Sequence, residues 1–381
     1  MINRVAILGA GLAGLNCAKN LESLPNVNID LFEKESSIGG RIKTDEVDGF
    51  LLDHGFQVFL PNYPEAKKAF AHKKLNLSAF KAGAKIDGRY VGDPLREPQV
   101  LFSTLLSPIG SIKDKLLILK LRYEKALPSD GQTALHFLKN YGFSKKVINN
   151  FFRPFFSGVF LNKELENDAN FFLFLYQMFS SGYATLPKNG MKELPQNIER
   201  QLTKTNIHLQ TPVNIINHQT IQMPNGDVKK YDFIITAHPD EHTSFYCVTT
   251  DYFWISRDSN HDFSNALELF TGQKFINHIA AVSLANPHYS PGDKILLSVN
   301  SLNTSTVQDV SNELKSIYPE LEFNFIKRYE IKKALPKTTK NLQNESKFIR
   351  CGDFLETPSI NGALASGRKA AQKILEVISQ Q

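Results

Sequence analysis

Short apolar blocks separated by polar turns run along this chain, and their periods predict an α/β protein. Residues 5–8 are apolar throughout, the pattern of a strand buried on both faces. Leu15, Ala18 and Leu21 then share one helical face until Pro25-Asn26 breaks the helix, and residues 28–32 read as a second strand. Residues 42–47 and 50–53 flank the hairpin signal Asp48-Gly49, and Asp87-Gly88 marks a second hairpin. Helices are expected after Pro64 as far as residue 74, and over residues 101–106, 112–127, 133–141, 144–152 and 170–181. The next helix runs to residue 202. Strands follow at 206–209, around the turn Asn225-Gly226, and at 231–237. Between 245 and 335 the pattern gives strands at 280–285, 294–300 and 323–329 and a helix at 307–318. A strand over 348–353 ends in Gly352-Asp353. Ile360, Ala363, Leu364, Ala371, Ile374 and Ile378 then keep helical spacing.

Chemistry enters where the first strand meets the first helix. Gly9 permits a tight turn, Gly11 lets the backbone approach a pyrophosphate, and Gly14 lets the helix press on the sheet. The helix N-terminus then faces the phosphates. Glu33 closes the second strand, where a carboxylate can accept both ribose hydroxyls and would repel a phosphorylated ribose. That leaves NAD or FAD. Gly39-Gly40-Arg41 separates them, because a second glycine pair brings another backbone segment to the pyrophosphate, with an arginine to balance its charge.

Together, Gly9-Ala10-Gly11-Leu12-Ala13-Gly14, Glu33-Lys34, Gly39-Gly40-Arg41 and Asp53-His54-Gly55 resemble the flavin-containing amine oxidase superfamily, which includes protoporphyrinogen oxidases and phytoene desaturases. Residues 151–160, 170–181 and 185–191 are most similar to its phytoene-dehydrogenase-like branch. The resemblance implies non-covalent FAD in a Rossmann-like domain made of residues 1–75, 186–244 and 336–381. An interleaved substrate domain of mixed sheet and helices would take residues 76–185 and 245–335. The resemblance puts Gly55, Phe56 and Gln57 beside the isoalloxazine, Val213 against the adenine, and Asp353 near the ribityl-pyrophosphate. It directs the amides around Ser359, Ile360, Asn361 and Ala363 at flavin N1 and O2, where negative charge gathers on reduction.

The activity so implied is hydride transfer between an apolar, polyene- or lipid-like substrate and flavin N5. A flavin amine oxidase and a redox-neutral double-bond isomerase are the alternatives. Tyr329 is a candidate for an aromatic ring over the flavin, and Lys188 for a base. His54 and Gln57 equally suit polar side chains that satisfy buried backbone. Phe171, Phe172, Phe174, Leu175, Met178 and Phe179 cover much of one helix, which reads as core or as the wall of an apolar cavity. Gly362 and Gly367 each cost about 1 kcal/mol against alanine in a helix and call for a close neighbour, of which a flavin edge is one.

Composition narrows the setting. A chain of 381 residues, 42% hydrophobic and 22% charged, can bury two cores. Lys+Arg 44 against Asp+Glu 38 leaves a net charge of +6 without a basic block, so nucleic acid is not indicated. The basic helix at 112–127, with Lys113, Lys115, Lys120, Arg122 and Lys125, suits an ordinary half-buried helix or weak contact with anionic lipid. Cys17, Cys247 and Cys351 have no metal or redox spacing, and Cys351 should be a small buried hydrophobe. No apolar run reaches the roughly 18 residues of a spanning helix, and the first strand leaves no room for a signal peptide. A cytoplasmic protein without a metal site is expected.

Overall fold

The computed structural model describes residues 2–337 and 349–379, so Phe348, the expected start of the last strand, lies outside them. Strand β1 (Asn3–Leu8) occupies the middle of a five-stranded sheet. The order across it is Ile349–Arg350, Phe233–Thr236, β1, β2 (Val27–Phe32) and Thr205–His208, every pair parallel. Val5, Ala6 and Ile7 are wholly buried, which is why β1 is apolar without alternation. Helix α1 (Leu12–Leu21) returns the chain toward β2. It packs against the last helix, Ile360–Ser379. A Cβ on Gly367 would overlap the Ala13 carbonyl, and Asn16 Nδ2 donates to the Leu364 carbonyl at 2.7 Å. The close neighbours of Gly367 and Gly362 are therefore protein backbone, at Ala13 and Thr357 respectively, and not a flavin edge.

A seven-stranded sheet takes its strands from the two intervening stretches. Its order is Asn324–Pro336, Phe245–Ser256, Lys294–Ser301, Ile276–Ala281, Leu267–Leu269, Gly83–Ile86 and Arg89–Gly92. All pairings are antiparallel except that of Leu267–Leu269 with Gly83–Ile86. The strand Phe245–Ser256 was not expected, because Thr249, Thr250 and Asp251 interrupt its apolar pattern. The fold satisfies these groups internally. Thr250 donates to Asn300 Oδ1 at 2.6 Å, and the buried Asp251 accepts two 2.7 Å bonds from Arg328.

Both Asp-Gly hairpins form. Asp48 and Gly49 have φ +49° and +81°, and Asp87 and Gly88 have +47° and +79°, as a type I′ turn requires. Several helices differ from expectation. Residues 64–74 yield only Ala66–Ala69 and a 3₁₀ turn at His72–Lys74, and the basic helix stops at Leu121. The helix starting at Lys145 does not end at 152. It widens to π geometry over Ile148–Phe152 and continues as Arg153–Phe160. The wider turn accommodates Pro154, which has no N–H and whose ring crowds the preceding turn. The strand expected at 280–285 ends at Ala281 and becomes the short helix Val282–Ala285. Among the described residues no helix is long and apolar enough to cross a membrane.

Candidate functional site

Two glycine turns meet at the C-terminal edge of the parallel sheet. Gly9 N–H donates to the Phe32 carbonyl at 2.8 Å, and Gly39 N–H to the Ala10 carbonyl at 2.8 Å. Gly11 and Gly39 form a parallel bridge, and a Cβ on Gly40 would lie 3.3 Å from Gly11 Cα. The second turn thus rides on the first, and only glycine permits that approach. A Cβ on Gly11 meets no protein atom within 4 Å, yet Gly11 lines a cavity, so the missing side chain leaves room for a ligand. Glu33 Oε2 accepts from Ala10 N–H at 2.8 Å and Oε1 from Glu35 N–H at 3.0 Å. Each oxygen retains a further lone pair for a hydroxyl donor.

The cavity measures about 1190 Å³. Ligand pockets usually span about 300–1,000 Å³, so this one has room for a cofactor and a second molecule. It brings together Gly9, Gly11, Leu12, Ala13, Glu33, Lys34, Gly39, Gly40, Arg41, Gly55, Phe56, Gln57, Val213, Gly352, Asp353, Ser359, Ile360 and Ala363. The first turns of both α1 and Ile360–Ser379 thus reach one space, which suits an anionic, nucleotide-like molecule.

Four expected residues lie elsewhere. Gly14 packs against Gly9 and Ala237, where a side chain would overlap the Gly9 carbonyl. Asn361 Oδ1 accepts from Glu65 N–H at 3.0 Å. The Tyr329 hydroxyl donates to Asp45 at 2.7 Å, and its ring rests on His54. Lys188 donates its N–H to the Leu75 carbonyl and does not line the cavity. Arg41 is paired with Asp353, so its charge is already balanced by the chain. Gln57 donates to the carbonyls of Arg41 and His54 at 3.2 and 3.3 Å, and His54 bonds to Asp45 at 2.9 Å. Cys351 is buried against Cys17, whose thiol is pushed up by a hydrogen bond with Cys351 and by burial.

The far wall of the same cavity is aromatic and aliphatic. Phe171, Leu175 and Phe179, spaced four residues apart on the helix Ala169–Ser181, line it together with Phe151, Phe155 and Phe156. Phe172 turns into the core, 4.7 Å from the Phe156 ring centroid. Phe174 stacks on Tyr63. The helix is therefore both core and cavity wall. Four carboxylates line the cavity, and each is engaged. Asp93 accepts from Arg96 and Arg122 at 2.9 Å, Asp353 meets Arg41, Glu33 holds two backbone amides, and Glu35 lies 3.9 Å from Lys34.

His278 is a polar lining residue that the sequence reading missed. It sits in the fully buried strand Ile276–Ala281 with its ring 5.2 Å from that of Phe56. Ser157 donates to Asn277 Oδ1 at 2.9 Å, and Asn277 Nδ2 lies 3.1 Å from His278 Nδ1. The amide therefore donates to Nδ1, which assigns the ring proton to Nε2. Nε2 is buried and finds no partner among the described residues. Burial pushes this imidazole down to about 4, so it is neutral at pH 7. The only signal in the sequence was a polar Asn277-His278 pair inside an apolar run. Outside the cavity lining, burial pushes the Asp53 carboxyl up to about 6, against bonds from Thr44, Met191 and Tyr289. Among the described residues no three His, Cys, Asp or Glu side chains are grouped to hold a metal.

The family model for flavin-containing amine oxidoreductases matches residues 12–266. The 15-cis-phytoene desaturase of Synechococcus elongatus is 39% identical over 75 residues, 19% of this chain and 15% of that protein. The coproporphyrinogen III oxidase of Staphylococcus aureus is 24% identical over 181 residues, covering 42% of this chain and 37% of its own. The match therefore spans well under half of either relative. Among solved structures, a putative protoporphyrinogen oxidase from Exiguobacterium sp. 255-15 superposes with a TM-score of 0.70 at 16% identity, over 98% of this chain and 99% of that one.

Proposed function

The chain belongs to the flavin-containing amine oxidoreductase family, and from that premise we propose that it holds FAD non-covalently and oxidises or reduces an apolar, polyene- or lipid-like substrate. Residues 1–75, 186–244 and 336–381 form the FAD-binding part in this reading, and residues 76–185 and 245–335 the substrate part. Glu33 receives the adenosine ribose, Val213 borders the adenine, and the paired glycine turns with the first amides of α1 receive the pyrophosphate. Gly55, Phe56 and Gln57 border the isoalloxazine, while Gly352, Asp353 and the first turn of Ile360–Ser379 border its ribityl side. When bound, the flavin supplies a hydride acceptor at N5. The chain supplies orientation and a dry enclosure through Phe171, Leu175 and Phe179. Three cysteines outside any disulfide suit a cytoplasmic setting.

A single observation carries this reading: one continuous cavity joins the glycine turns to the phenylalanine wall. The same cavity favours an apolar substrate over an amine. Asp93 and Asp353 are paired with arginines, and Glu33 and Glu35 stand beside the glycine turns, which leaves no unpaired carboxylate at the phenylalanine wall to receive an ammonium group. Anaerobic mixing of the FAD-loaded protein with a polyene, an unsaturated lipid and an alkyl polyamine tests the assignment. Lasting flavin bleaching with the polyene or lipid supports it. Bleaching by the amine alone contradicts it, and product formed without lasting bleaching identifies an isomerase.

A further inference from the structure

The rim of the cavity is made of apolar side chains that face solvent. Leu101, Leu105, Ile112, Leu116 and Leu119 line the cavity and are 42%, 42%, 69%, 63% and 43% exposed. Phe102 and Leu106 stand beside them, 75% and 83% exposed, without reaching the cavity. Soluble surfaces usually scatter such residues singly, whereas these cluster on two successive helices, Leu101–Leu106 and Ile112–Leu121. Lys115 Nζ ties the pair together by donating to the carbonyls of Leu105 and Ser107.

Charge on this face has one sign. The acid on the two helices, Asp114, is buried and consumed in a capping box with Ser111. Lys113 and Lys120 are exposed on the same helix. A protein covering these side chains would also close the cavity they surround. A lipid surface would cover them and leave the cavity open to its acyl region.

We propose that this face docks on an anionic lipid bilayer, and that an apolar substrate enters the cavity directly from the membrane. Phe102, Leu106, Ile112 and Leu116 insert at the acyl boundary while Lys113 and Lys120 meet the headgroups. The entry route rests on the apolar-substrate reading given above. The docking does not, and needs no bound flavin.

Flotation of the full-length protein tests it, with vesicles of phosphatidylcholine alone and of phosphatidylcholine and phosphatidylglycerol in equal parts. Wild-type protein should float with the anionic vesicles about tenfold more than with neutral ones, and less as salt rises. F102D/L106D and K113E/K120E each change exposed positions outside the cavity lining and should lower flotation about tenfold. Circular dichroism and flavin absorbance of the same samples report separately on folding and on the cofactor reading. The proposal is overturned if wild-type protein stays unbound with anionic vesicles, or if both folded variants float like wild type. It is equally overturned if sedimentation shows a dimer dissolved by F102D/L106D while vesicles bind nothing.

Discussion

Replacing Gly367 by alanine sets helix propensity against helix crossing. In an open helix the change stabilises by about 1 kcal/mol. Here the new Cβ would lie 3.0 Å from the Ala13 carbonyl carbon and 3.1 Å from Cys17 N, and would overlap the Ala13 oxygen. These are backbone atoms, so no rotamer change relieves the contact. Helix α1 cannot retreat either, because Leu15, Cys17 and Ala18 are wholly buried beneath it. Overpacking of this kind costs about 1–3 kcal/mol, occasionally more, so against the gain of about 1 kcal/mol a net loss of up to about 2 kcal/mol is expected for G367A. The 2.7 Å bond from Asn16 to Leu364 would lengthen with the displacement. Leu12 and Ala13 on one helix, and Ile360 and Ala363 on the other, line the cavity, so FAD affinity should fall as well. G272A is the control, since a Cβ there meets nothing within 4 Å and the backbone is not left-handed. It should be neutral or slightly stabilising. Urea unfolding followed by circular dichroism, with FAD titration of each apoprotein, measures both effects. If G367A proves as stable as G272A and binds FAD like wild type, the two helices do not cross as described.

Two further predictions concern the site. Glu33→Gln removes the charge that holds the Ala10 and Glu35 amides and would receive the ribose, and FAD affinity should fall about 10- to 100-fold. Fluorescence titration measures it, and unchanged affinity would remove Glu33 from the site. His278→Phe should reshape the dependence of stability on pH. The native imidazole titrates at about 4 and an unfolded one at about 6.5, so between those values only the unfolded chain binds the proton. His278 therefore costs stability as pH falls from 6.5 to 4, by up to about 3 kcal/mol. Asp53 acts in the opposite sense, since its carboxyl, raised to about 6, keeps its proton in the native state and loses stability as pH rises from about 4 to 6. The two nearly cancel in wild-type protein. H278F should expose the Asp53 effect and be more stable near pH 4.5 than near pH 7, relative to wild type. Parallel pH profiles for the two proteins would contradict the burial of a neutral imidazole.

What could be read from the sequence had local causes. The Asp-Gly pairs at 48–49 and 87–88 fix their hairpins through φ alone, and the wholly apolar β1 announces a doubly covered parallel strand. The glycines at 9, 39 and 40 could be read because a Cβ on each would crowd neighbouring backbone, whereas Gly11 leaves open space on the cavity. Features that depend on distant partners stayed hidden. Asp251 looked like an interruption until Arg328 met it across two strands. Gly367 pointed to a close neighbour without naming Ala13. Arg41 was read toward a pyrophosphate, yet Asp353 already neutralises it from more than three hundred residues away. The helix expected over 144–152 runs on through Pro154 to Phe160, because nothing local foretells a π turn.

The most direct test is the flavin content of the purified protein. Heat-released cofactor, identified by mass spectrometry and quantified by absorbance against protein concentration, should be FAD at one molecule per chain, leaving the protein colourless. Native protein that carries no flavin and takes up none from excess FAD would contradict the account at its root.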